Sequence, residues 1–147
     1  VDMTTAMIDL ANANKQKLGI SNVEFIQKQL DNTGIENGSI DVILSNCVIN
    51  LVPDKKAVFA EAHRILKKNG RFQICDIVTS KTLPDEALTD DNWCHCLSGA
   101  MNKDHYLEAL KDVGFSDVQT ISERVYQPDA EQDWMSLVYS ISVLAIK

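Results

Sequence analysis

The stretch Ile40-Asp41-Val42-Ile43-Leu44-Ser45-Asn46-Cys47-Val48-Ile49-Asn50-Leu51-Val52-Pro53-Asp54 decides the fold. It opens as an apolar run rich in β-branched residues, turns polar at Ser45-Asn46-Cys47, and closes on a Pro-Asp step that starts a helix. A buried strand leading into a helix is the repeating unit of an α/β sheet, where ligands sit beyond the carboxyl ends of the strands. Cys47 is thus a thiol at the mouth of a candidate crevice, fit to act as a nucleophile or a soft ligand.

Upstream, Thr4 and Thr5 cap a predicted helix with Met7, Leu10, Ala11 and Leu18 on its inward face and Gly19 at its end. Residues 23–28 read as a strand, and residues 30–39, with Gly34, Asn37 and Gly38, as a loop. Downstream, Asp54 caps a helix that turns Val58, Ala62, Ile65 and Leu66 inward, ends in Lys67 and Lys68, and stops at Asn69-Gly70. Residues 71–78 form the next strand. Residues 81–100 are mixed and partly helical, a candidate lid holding Trp93, Cys94, His95 and Cys96. Asn102 caps a helix with Tyr106, Leu107, Leu110 and Val113 inward and Gly114 closing it. Residues 118–126 and 137–146 make a late antiparallel pair, joined by a polar loop with Pro128. The alternation predicts one α/β domain over residues 1–147, with helices on both faces of a mixed sheet.

A formal charge of -7 disfavours phosphate backbones and anionic lipid, so neither nucleic acid nor a membrane is an expected partner. No apolar run reaches the roughly 20 residues of a membrane helix, and no signal peptide opens the chain, which predicts a cytoplasmic location. Cys47, Cys75, Cys94 and Cys96 are too few for a disulfide scaffold and read as reduced thiols.

Four segments carry a family likeness: Val1-Asp2-Met3-Thr4, Ser45-Asn46-Cys47-Val48-Ile49-Asn50-Leu51, Pro53-Asp54-Lys55 and Cys96-Leu97-Ser98-Gly99-Ala100. Together they closely resemble arsenite methyltransferases. Glu61-Ala62-His63-Arg64-Ile65-Leu66-Lys67 and Cys75-Asp76-Ile77-Val78 extend the likeness over nearly the whole chain. The resemblance implies a Rossmann-like class I methyltransferase sheet that uses S-adenosylmethionine to methylate trivalent arsenic, presented as arsenite or a thiol conjugate. Cys47 and Cys96 match the arsenic-binding, catalytic thiols, and cofactor binding falls to Asp2, Met3 and Asn46. Soft thiolates suit a thiophilic acceptor that oxygen ligands would not hold.

Plainer readings stand beside these. Asp2 ahead of Thr4-Thr5 also suits a helix start, and free cysteines are often simply buried. Cys75 reads as packing, and Cys94-His95-Cys96 lacks the second ligand pair of a zinc site. Trp93 suits a lid or simple packing, His63 and His105 fall on helices, and Asp76 ends its strand without a visible partner. The family's glycine-rich loop, first strand and most of its second are not found before Val1, so the expectation is an N-terminally truncated, partial methyltransferase domain. An exposed sheet edge would then favour a homo-oligomer, and the isolated chain is expected to bind cofactor weakly.

Overall fold

The computed structural model describes residues 1–126 and 131–147. Its elements follow as α1 (Thr5–Leu18), β1 (Ile40–Asn46), α2 (Lys55–Ile65), β2 (Leu66–Thr79), α3 (Asp90–Cys94), β3 (Met101–Asn102), α4 (Lys103–Asp112), β4 (Asp117–Val125) and β5 (Val138–Ile146). The sheet runs β1-β2-β5-β4, with β3 beside the end of β2. β1 and β3 pair with β2 in parallel, whereas β5 pairs antiparallel with both β2 and β4. The expected α/β class, the mixed sheet and the antiparallel closing pair are all present. The loop with Pro128 lies outside the described residues.

Local signals set the packed helices. The Asp54 carboxylate accepts from the Ala57 N–H at 3.0 Å, and Asn102 Oδ1 accepts from the Asp104 and His105 N–H groups. Each side chain satisfies donors that a helix start leaves open. Strand alternation puts Phe72, Ile74 and Val78 of β2 and Ile141, Val143 and Ala145 of β5 on one face. There they meet Val58, Phe59 and Ala62 of α2 and Tyr106 and Leu110 of α4, with the Phe59 and Tyr106 rings edge-on at 5.0 Å. The loop before β1 is tied to α2 through buried Glu61, which accepts from the Thr33 N–H and hydroxyl and from Arg64 Nε. The Arg64 guanidinium, then the Thr33 bonds, hold the Glu61 carboxyl down to about 2 against the opposing cost of burial.

Among the described residues, the other face is covered only at its carboxyl end. There Ile77 and Val138 meet Leu83, Ala87, Cys96 and Leu97 of the 81–100 segment and Met135. Further back, Leu44 is 76% exposed and Val42 is also open to solvent. The expectation of helices on both faces is thus met by α2 and α4 on one side and by short helical turns at one end of the other.

Three local expectations are corrected. Residues 23–28 form no strand: Gln27 makes one isolated bridge to Asp2, because past Asp2 the chain turns into α1 and leaves the ladder. α1 forms and ends at Gly19, whose φ of +65° suits glycine, yet it buries none of its residues. Met7, Leu10 and Leu18 stay exposed because the half-buried face of α1 is that of Ile8, Ala11, Asn12 and Lys15, whose Nζ donates to the Val23 carbonyl. α2 ends at Ile65, since Leu66 already pairs with Ile40, and Asn69-Gly70 falls in a bulge where the register jumps to Val42–Arg71.

Candidate functional site

β1 ends beside Cys75 of β2, and the thiol corner lies there. The Cys47 N–H extends their ladder by donating to the Cys75 carbonyl at 2.9 Å, after which Cys47 turns into the left-handed region at φ +57°. Cys96 follows α3 and is left-handed too, at φ +64°. Its thiol donates to the Cys47 carbonyl at 2.8 Å. Two residues 49 positions apart, both expected to act together, therefore converge. Left-handed backbone is costly for a residue with a Cβ, and such strain gathers at functional sites.

Beneath the thiols lies a buried polar group. Asp76, only 2% exposed, accepts from the Tyr106 hydroxyl at 2.7 Å through Oδ2, while Oδ1 has no partner. Burial first, opposed by Tyr106, Lys55 and the Cys47 backbone, pushes the Asp76 carboxyl up to about 6. Tyr106 is raised well above its ordinary value by burial and the Asp76 charge. Burial, the neighbouring Cys47 and the Asp76 charge push the Cys96 thiol up to about 12, so it stays protonated in the free protein at neutral pH. Lys55, whose Nζ donates to the Val52 carbonyl at 3.1 Å, is lowered by burial although Asp76 and Cys96 favour its charge.

Asp2 and Met3 line a separate cavity of about 360 Å³ with Lys28, Leu30, Asp31, Val48, Leu51 and Val52. Asp31 Oδ1 is buried there without a partner. Apolar walls with the carboxylates of Asp2 and Asp31 suit a nucleoside, whose base is flat and whose hydroxyl and amino groups donate. Asp2 Oδ1 also accepts from the Thr4 N–H at 2.8 Å, so the helix-start reading of Asp2 holds as well. Asn46 ends β1 and is not among the residues lining this cavity.

Of the remaining candidates, Cys94 and His105 are exposed, Cys75 contacts Ser142 within the sheet at 3.7 Å, and Trp93 is half-buried. His63 stacks edge-on against Phe115 at 5.2 Å. Asn50, Lys55 and Tyr106 were not expected at the site. Asn50 alone carried a signal, as a lone amide between Ile49 and Leu51 in an apolar turn.

A methyltransferase-domain family model matches residues 1–114. The chain belongs to the methyltransferase-domain family. It is 33% identical to an arsenite methyltransferase of Halobacterium salinarum over all of its length and 39% of that protein. To the human arsenite methyltransferase it is 39% identical over 78% of the chain and 33% of the relative. The chain thus spans about a third to two fifths of these curated relatives. An arsenic(III) S-adenosylmethionine methyltransferase from Chlamydomonas reinhardtii superposes with a TM-score of 0.85 at 30% identity, covering 99% of this chain and 54% of that one. Among the described residues no helix is long and apolar enough to cross a membrane.

Proposed function

We propose that this chain carries the metalloid-holding half, and part of the cofactor-holding half, of an S-adenosylmethionine-dependent arsenite methyltransferase. The observation that carries this reading is the meeting of Cys47 and Cys96, with the Cys96 thiol 2.8 Å from the Cys47 carbonyl. Arsenite loads by ligand exchange: two As–S bonds form, two As–O bonds break, and the two thiol protons leave on hydroxide as water. No free thiolate is needed, which suits a Cys96 thiol held near 12. The bound arsenic keeps its lone pair facing away from both sulfurs.

Asp2, Met3, Leu30 and Asp31 would hold the nucleoside of S-adenosylmethionine, which when bound supplies an electrophilic methyl group. The chain's own contribution is then positioning, which is where such a transfer gains most of its rate. Calorimetry with arsenite should give tight binding that is lost in Cys47→Ser and in Cys96→Ser. Unchanged arsenite affinity in both variants overturns the proposal.

A second reading, a thiol module that binds metalloids without methylating them, is favoured by one observation: no glycine lines the Asp2 cavity to let backbone approach the methionine portion. In this reading the isolated chain binds cofactor weakly and turns over little. Arsenite binding without detectable cofactor binding selects it, whereas a methylated arsenical in the presence of S-adenosylmethionine removes it. All four cysteines are free thiols, in keeping with a reducing, cytoplasmic setting.

The free side of β1 supports self-association. A groove of about 320 Å³ lined by Ile40, Val42, Leu44 and Val48 runs along it, beside unpaired strand backbone. Light scattering at micromolar concentration should show a dimer or larger species, and a stable monomer refutes that part of the proposal.

A further inference from the structure

Asn50 is fully buried in the 3-10 turn Ile49–Leu51 that links Cys47 to α2. Its Nδ2 donates to two carbonyls from distant parts of the chain, Ile77 of β2 at 2.7 Å and Cys96 at 3.3 Å. Two acceptors facing one atom fix the amide's orientation, because turning it over would set Oδ1 against both carbonyl oxygens. Oδ1 is left buried with no donor, a cost that an aliphatic residue would not incur. The backbone supplies a second tie. Gly99 lies against the Asn50 carbonyl so closely that a Cβ there would overlap its oxygen.

The two thiols differ in how they are held. Cys47 is anchored by the β1–β2 ladder through the Cys75 carbonyl. Cys96 leaves α3, a five-residue helix with no buried residue, and the side-chain bond reaching its backbone from the strand side comes from Asn50.

We infer that Asn50 is the positioning residue that sets the spacing of the thiol pair, pinning the Cys96 carbonyl to the end of β2 so that both sulfurs can grip one trivalent metalloid. The inference rests on the reading of Cys47 and Cys96 as joint metalloid ligands. It makes Asn50 matter for chelation by two thiols and not for reaction at one.

The test uses phenylarsine oxide, which needs both thiols, and methylmercury, which needs one, on protein with Cys75→Ser and Cys94→Ser. Asn50→Ala should weaken phenylarsine oxide binding about tenfold or more, the equivalent of one buried hydrogen bond, with methylmercury affinity unchanged. Asn50→Leu, close in size and without the unpaired Oδ1, covers the case in which the alanine variant does not fold, and should show the same split. Phenylarsine oxide binding within twofold of the parent overturns the inference, as does an equal loss of both probes, which marks a general structural role. If the parent's own phenylarsine oxide binding does not depend on Cys47 and Cys96, the metalloid-ligand reading itself fails. That result is separate from any effect of Asn50.

Discussion

The thiol corner and the Asp2 cavity lie in the same small molecule and are built to different standards. At the thiol corner every neighbour is held from within the chain. Cys47 hangs from a strand ladder, Cys96 is buried, Asn50 spans two segments, and Asp76 is bonded to Tyr106 under α4. At the cavity, Asp2 and Gln27 form one isolated bridge, Val1 and Met3 are exposed, and α1 buries none of its residues. The contrast teaches that this chain holds its thiol corner through buried bonds between distant segments, while the Asp2 cavity rests on few bonds at an exposed rim.

The largest expected effect tests the thiol corner. Cys47→Ser or Cys96→Ser turns two-point capture of phenylarsine oxide into one-point capture, and affinity should fall on the order of 10²-fold or more by the loss of an intramolecular second contact. A tenfold change or less in either variant would erase the contrast. Next, Phe59→Ala removes the ring that stacks on Tyr106 and should cost about 3–5 kcal/mol in urea unfolding. Arsenical affinity in the folded fraction should fall with it, because Tyr106 loses its support.

Asp76 gives a pH-dependent prediction of intermediate size. Its pKa rises from 3.8 to about 6 on folding, so its contribution to stability is full below about 4 and is lost as pH rises through 6. Asp76→Asn should therefore stabilise the fold at pH 8, on the order of 1–3 kcal/mol, and change little at pH 4. Glu61 runs the other way. Its pKa falls from 4.5 to about 2, so its stabilisation holds above about 4.5 and is lost as pH drops toward 2. Glu61→Gln should flatten the acid limb of the stability curve, and an unaltered limb would remove Glu61 from its cause. The smallest effect belongs to the cavity. Asp2→Ala should lower cofactor affinity while leaving the unfolding midpoint and arsenical binding nearly unchanged, because Asp2 touches only exposed backbone.

Legibility in the sequence follows the same division. Asp54, Asn102, Gly19 and the β-branched runs encode local geometry, so the elements of the sheet were readable without knowing what packs where. Residues 23–28 and the apolar stripe of α1 misled because strand pairing and helix burial depend on neighbours and not on the segment's own pattern. The thiol pair was readable only through likeness, since nothing in a span of 49 residues says that two cysteines meet. The bonds that Asp76, Tyr106 and Asn50 make were hidden for a physical reason. A buried polar residue looks in sequence like any polar residue until its partners are known.

The left-handed backbone at Cys47 and Cys96 sets a conflict between holding a fold and holding a ligand. A chain composed for stability alone would place glycine or asparagine at those two turns, where the conformation comes free or nearly so. At Cys47, which is only half-buried, Cys47→Gly should relieve about 1–2 kcal/mol of backbone strain, offset in part by the packing it gives up. A variant that has lost its chemistry can therefore be as sturdy as its parent, and thermal robustness would be a misleading guide when choosing among versions of this protein.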